Sequence, residues 1–147
     1  MVSISDGKAY GENRIKGYCM IVGHGIDIMS TARIEKAIAR FGDRFMKKIY
    51  TEHERTVIER RKAYASQICT SLWAAKEAAM KALGTGNRQG VRFRDIEIRH
   101  EPTGKPYIRL YGASEQHARR LQVDNIEVSM SHLGDNAVAS VIFEKLH

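Results

Sequence analysis

Residues 95–111 read DIEIRHEPTGKPYIRLY. Side chains alternate strictly over residues 95–100, PTGKP at 102–106 carries the residues that turn a chain, and Tyr107–Tyr111 forms the return strand. Such runs on both sides of a short Pro/Gly turn predict two antiparallel strands joined as a hairpin. An antiparallel pair needs no helical crossover, so the helices of this chain need not alternate with its strands one by one.

Working outward supports that reading. Downstream, residues 113–121 suggest a short helix, and residues 125–131 (NIEVSMS) alternate again. A break at Gly134, Asp135 and Asn136 precedes a last strand over residues 137–143 (AVASVIF). Upstream, a long helix runs from about Ser66 to Leu83 and stops at Gly84. Ile68, Leu72, Ala75, Ala79 and Leu83 recur along it at helical spacing as a core stripe. Its many alanines favour helix and let a neighbouring element come close. Thr51-x-x-Glu54 is a capping box, so another helix begins near Glu52. The charged face of that helix (Glu54, Arg55, Glu59, Arg60, Arg61, Lys62) reads as solvent-exposed. Residues 43–50 suggest a short helical turn. Before them Ser30 or Thr31 caps a helix with an apolar stripe at Ile34, Ala37, Ile38 and Phe41 and a stop at Gly42. Residues 20–28 (MIVGHGIDI) predict a buried strand whose glycines mark a close approach to the backbone. The order strand, helices, hairpin, helix, hairpin predicts an α+β fold: an antiparallel sheet packed against a long helix and shorter helices.

The 147 residues suit one domain, and 43% hydrophobic with 28% charged residues excludes a disordered chain. No apolar run is long enough to span a membrane, so no membrane partner is expected. Residues 1–19 are polar and without period, and they lack the apolar core of a secretion signal. They are expected to be a poorly ordered extension ahead of a domain over residues 20–147. A net charge of +7 favours an anionic partner without naming it. Cys19 and Cys69 have no metal-ligand or CxxC spacing, which argues against a disulfide framework or a zinc site and suits a reducing cytoplasm.

Composition alone singles out few residues. Asp27 interrupts an apolar strand, as an edge carboxylate in water, a partner of a base, or a metal ligand. Glu77 and Lys81 have the spacing of a helix-surface pair. Trp73 continues that line, away from the core stripe. His132 ends a strand beside Ser131. The loop Gly84–Gly90 (GTGNRQG) could present N–H groups to a phosphate, but it follows a helix rather than preceding one, so it reads first as a helix stop and flexible loop.

Taken together, VGHGIDI at 22–28, STARIEKAIARFGDRF at 30–45 and WAAKEAAMKALGTG at 73–86 resemble the hallmark motifs of holo-acyl-carrier-protein synthases, the small-subunit class of phosphopantetheinyl transferases. DIEI, GKPYI, VSMSH and AVASVIFE follow in that family's order, and the resemblance covers about Met20 to Leu146. It implies transfer of the 4′-phosphopantetheine arm of coenzyme A to a serine of an apo-acyl carrier protein, in support of fatty acid biosynthesis. Adenosine 3′,5′-bisphosphate is the leaving group. Charge building on phosphoryl oxygens calls for positioning and positive charge. By resemblance Asp27 and Glu77 hold Mg2+, and Lys81 meets a coenzyme phosphate or orients the nucleophile. Glu77 or a metal-held water takes the serine proton. Gly84, Gly86 and His132 are implied coenzyme contacts.

The resemblance also implies a homotrimer with active sites between subunits. An acidic carrier would dock on a basic face built from Arg33, Arg40 and Arg44, with Lys47 and Lys48 nearby and Phe45 beside Arg44. Many members carry an arginine just before the aromatic of the second motif, where this chain has Leu72. A phosphate contact is then either missing or supplied by another basic residue, such as Lys62 or Arg88. A nucleic-acid-binding module would explain the basic charge but not Asp27, Glu77 and the ordered motifs, and aromatics are only 7%. The same chemistry on another carrier protein is a further alternative.

Overall fold

The computed structural model describes residues 17–147, so most of the expected extension lies outside the described residues. Its last part is ordered. Strand β1 (Cys19–Ser30) starts one residue before Met20, pairing Cys19 with Leu146, while the His147 N–H donates to the Tyr18 carbonyl at 3.0 Å.

The elements that follow are α1 (Thr31–Ile49), α2 (Glu52–Arg60), α3 (Ala65–Leu83), β2 (Ile96–His100), β3 (Pro106–Leu110), α4 (Gly112–Arg120), β4 (Asn125–Leu133) and β5 (Asn136–Leu146). The class is α+β, as expected. The strands form two antiparallel sheets rather than one: β1-β5-β4 and the β2-β3 hairpin.

Ser30 caps α1, accepting from the Arg33 N–H at 3.3 Å. Gly42 (φ 53, ψ −134) interrupts α1, and helix resumes beyond it, so the expected stop and short turn are two halves of one broken helix. The Thr51–Glu54 capping box opens α2 as read from sequence.

The long helix departs from its expected single stripe. Cys69, Ala74, Ala75, Ala78, Ala79 and Met80 are fully buried, so α3 is core on nearly every side. It lies across β1 and β5, and the glycines of β1 let it come close. A Cβ at Gly25 would fall 1.8 Å from the Ala78 carbonyl oxygen, and one at Gly23 would fall 2.3 Å from that of Ala82. Alanine on the helix and glycine on the strand thus bring two backbones together.

The charged face of α2 is corrected at one position. Glu54 is buried, and its Oε1 lies 2.7 Å from Nζ of the equally buried Lys76. The Lys76 ammonium also donates to the Phe93 carbonyl at 3.0 Å and to that of Ile96, while Glu54 accepts from the Ile98 and Thr51 N–H groups at 3.1 and 2.9 Å. Burial pushes the Lys76 ammonium below its usual range, and Glu54 opposes that shift. The pair ties α2, α3 and β2 together.

Candidate active site

Asp27 lies on β1 opposite Ala139 of β5, and Ala139 faces Met130 of β4. Directly paired residues share a sheet face, and buried Ala139 shows that this face is the one under α3. The Asp27 carboxylate is 15% exposed, and its Oδ1 accepts from Lys81 Nζ at 3.0 Å. The same ammonium donates to the Ile26 carbonyl at 2.9 Å. Asp27 Oδ2 is buried without a hydrogen-bond partner among the described residues.

Glu77 is half-buried one turn before Lys81. Burial first, then the Asp27 charge, raises its carboxyl above the usual range, while Lys81 and Arg33 pull it down. Two carboxylates separated widely in sequence therefore sense one another across the β1–α3 contact. The helix-surface pair read from the Glu77–Lys81 spacing is corrected: Lys81 forms its ion pair with Asp27.

Among the described residues no group of three or more His, Cys, Asp and Glu side chains gathers as a metal cage. Asp27 and Glu77 still form a donor set suited to a hard cation. Magnesium is held by one or two carboxylates, with substrate phosphates and water completing the shell. The orphaned Asp27 Oδ2 is an acceptor that such an ion would satisfy.

The other expected site residues divide. Arg33 is exposed, yet its charge acts on Glu77, so it belongs to this cluster as much as to the outer face of α1. Arg40 and Arg44 are exposed on α1, with the Arg40 guanidinium 5.0 Å from the centre of the Phe41 ring. Phe45 is 9% exposed, stacks on Trp73 at 5.6 Å and meets Tyr50 edge-on at 6.1 Å, so most of its ring is committed to packing. Gly84 (φ 75) ends α3 in the left-handed region that glycine enters without steric cost, and Gly86 (φ 56) follows. Neither glycine has a bulky neighbour where a side chain would stand.

His132 is not brought to Asp27. It sits on β4, and Asp27 on β1, at opposite edges of the three-stranded sheet. It lines a cavity of about 620 Å³ with Leu72, Arg61 and His100, and Asp27, Glu77 and Lys81 are absent from that lining. Lys62, one expected substitute for an arginine at position 72, pairs with Glu59 on the surface at 3.4 Å, and Arg88 does not line the cavity.

A family model for the 4′-phosphopantetheinyl transferase superfamily matches residues 23–141, which contain Asp27, Glu77, Lys81 and His132. The chain belongs to that superfamily. Similar to this transferase is the holo-[acyl-carrier-protein] synthase of Solibacter usitatus, 45% identical over 125 residues that cover 85% of this chain and 99% of the relative. Among solved structures, the holo-[acyl-carrier-protein] synthase of Neisseria meningitidis is 35% identical with a TM-score of 0.80, over 86% of this chain and all of the other. The Bacillus anthracis synthase, solved in complex with coenzyme A (3′,5′-ADP), is 38% identical with a TM-score of 0.72, over 86% and 98% of the two chains.

The residues that sequence reasoning missed in this transferase are Glu54, as the buried partner of Lys76, and Arg61, Tyr64 and His100 around the cavity. For Lys76 a signal existed. It stands four residues after Leu72 and seven before Leu83, on the core stripe itself.

Proposed function

We propose that this chain transfers the 4′-phosphopantetheine group of coenzyme A to a serine of an apo-acyl carrier protein, yielding the holo-carrier and adenosine 3′,5′-bisphosphate. The supporting observation is the meeting of Asp27 and Glu77, with Lys81 between strand and helix, in a chain built like holo-[acyl-carrier-protein] synthases. Asp27 and Glu77 would hold Mg2+, which supplies positive charge to the pyrophosphate oxygens as they gain charge. Lys81 adds a fixed cation for the same oxygens, held in place by Asp27 and the Ile26 carbonyl. Glu77, or water beside the ion, accepts the proton of the attacking serine hydroxyl. The serine oxygen forms a bond to the β-phosphorus, and the bond to the bridging oxygen breaks toward the departing bisphosphate. Gly84 and Gly86 offer backbone to the coenzyme beside Lys81.

The working assembly is a homotrimer. The sheet face turned away from α3 exposes Ile26, Ile28 and Leu133, at 56%, 67% and 86%. Apolar side chains so grouped on a sheet are covered in assemblies. His132 and Asp27 stand on the two edge strands of the three-stranded sheet, and in such an assembly a coenzyme held at Asp27 of one chain would reach His132 of the next. The exposed Arg33, Arg40 and Arg44 receive an acidic carrier. The domain runs from about residue 20 to 147. Two free thiols suit the cytoplasm, and among the described residues no helix is long and apolar enough to cross a membrane.

The test mixes the protein with coenzyme A, Mg2+ and apo-carrier and weighs the carrier by mass spectrometry. A gain equal to phosphopantetheine, lost in Asp27→Ala and Glu77→Ala, is expected. An unchanged carrier mass with wild-type protein would reject the assignment.

A further inference from the structure

The chain's one tryptophan, Trp73, stands on α3 one turn before Glu77. Its indole is gripped between two rings. Phe45 of α1 lies at 5.6 Å and nearly parallel, and Phe93, just ahead of β2, lies at 4.7 Å with a tilt of 37°. A ring packed on both faces has its N–H direction set by its neighbours. That N–H is buried, and among the described residues no acceptor closes a hydrogen bond with it. Buried donors are nearly always satisfied, so an exception calls for a reason. Three buried side-chain polar atoms lack a partner among the described residues, and two of them, Asp27 Oδ2 and Trp73 Nε1, belong to the surroundings of Glu77. Helical side chains lean toward the N-terminus, which lays residue 77 over the turn that holds residue 73. Burial, Asp27, Lys81 and Arg33 act more strongly on the Glu77 carboxyl, but the Trp73 N–H also favours its charged form, without reaching hydrogen-bonding geometry. Lys81 gives its ion pair to Asp27 rather than to Glu77. A fixed donor with no bond therefore stands beside a carboxylate that has not yet taken it.

We propose that Trp73 is a positioning residue: its indole N–H takes one oxygen of the Glu77 carboxylate and so presents the other oxygen to the cation. This rests on the function proposed above, in which Asp27 and Glu77 hold that ion. Carboxylates that hold metals are themselves held by hydrogen bonds from the residues behind them. A carboxylate has two oxygens, so one can be anchored while the other remains available. With Glu77 so held, one small rearrangement would satisfy both orphaned atoms, Asp27 Oδ2 on the ion and Trp73 Nε1 on the carboxylate. A phenyl ring could fill the same slot between Phe45 and Phe93. What the indole adds to the stack is the donor.

Two variants test this. Replacing the Trp73 indole by benzothiophene keeps its shape and removes the N–H, and Trp73→Phe keeps a ring in the stack. Each is titrated with Mn2+ in the presence of coenzyme A, followed by paramagnetic resonance, and assayed for transfer to apo-carrier with Mg2+. Both variants are expected to hold Mn2+ about 10- to 100-fold more weakly than wild type, the usual cost of losing a bond behind a metal-holding side chain. Transfer at fixed Mg2+ should fall through kcat, with KM for the carrier unchanged. The benzothiophene protein should unfold in urea at the wild-type midpoint, whereas a merely structural role would move the midpoint and leave Mn2+ affinity alone. Wild-type Mn2+ affinity and kcat in the benzothiophene protein overturn the proposal while leaving the transfer reaction standing. Wild-type protein that transfers yet holds no Mn2+ overturns it as well. Failure of wild-type protein to transfer at all overturns the functional reading and this proposal with it. If neither variant folds, the emission of the single tryptophan decides. It should shift to the blue in Glu77→Gln, because a negative charge near the pyrrole ring stabilises the excited indole, and an unshifted spectrum overturns the proposal.

Discussion

Gly25 and Ala78 touch backbone to backbone: a Cβ on Gly25 would lie 1.8 Å from the Ala78 carbonyl oxygen. That contact sets how near α3 comes to β1, and therefore how near Glu77 and Lys81 come to Asp27. Gly25→Ala should force the helix away. The expected loss is about 1–3 kcal/mol of stability, as for other overpacked cores, read from the midpoint of urea unfolding. Transfer activity should fall further than stability explains, because the two carboxylates separate. Full activity in a folded Gly25→Ala protein would show that their spacing is not set here.

The raised Glu77 carboxyl has two causes that can be separated. Asp27→Asn removes the charge and leaves the burial, so Glu77 should titrate lower in that variant, followed by NMR of its side-chain carbon. Folding raises this pKa, so the folded state binds the proton more tightly than the unfolded one. The contribution of Glu77 to stability is therefore best at low pH and falls as pH rises from the ordinary glutamate value through the raised one. Glu77→Gln should melt at a higher temperature than wild type at neutral pH, while transfer drops by at least about 100-fold.

Lys76 and Glu54 form an ion pair with no access to water. Lys76→Met strands a carboxylate in the core and should cost about 3–5 kcal/mol. Adding Glu54→Leu should return only part of that loss, because the Ile98 and Thr51 N–H groups also depend on Glu54. Chemical denaturation of the two single variants and the double variant measures the coupling.

Arg44 is exposed on the second half of α1 and lies outside the acid–lysine cluster. Arg44→Glu should raise KM for the carrier by on the order of tenfold, with kcat little changed. The difference from wild type should shrink as salt is added, since exposed charges are screened. Equal KM values at low salt would remove α1 from the docking face.

Ile28 and Leu133 are exposed on the outer sheet face at 67% and 86%. Ile28→Asp is expected to give monomers in sedimentation, with secondary structure intact and transfer lost. A monomeric wild-type protein that transfers at full rate would contradict the assembly proposed above.

Much of this fold was legible because local signals agreed. The alternation around PTGKP, the Thr51–Glu54 capping box and the stop at Gly84 are short-range rules that packing did not override. The glycines of β1 also read correctly as points of close approach, although what approaches them is settled only by tertiary structure. Long-range pairings were not legible. Spacing linked Lys81 to Glu77, but folding offers it Asp27 instead. Glu54 looked like one more surface charge because nothing in the periodicity of α2 shows that Lys76 lies opposite. Phe45 sits beside exposed Arg44, but helical geometry turns the two in different directions and gives the ring to Trp73.

Asp27 is held in register by Ala139 of β5, a strand translated long after β1. While the ribosome is still making the intervening segments, β1 has no ladder partner, and its aspartate has no fixed position relative to α3. A nascent chain would thus carry every residue of the acid–lysine cluster and still be unable to bind coenzyme productively. Catalytic competence should arrive abruptly as the closing strand docks, rather than grow with chain length.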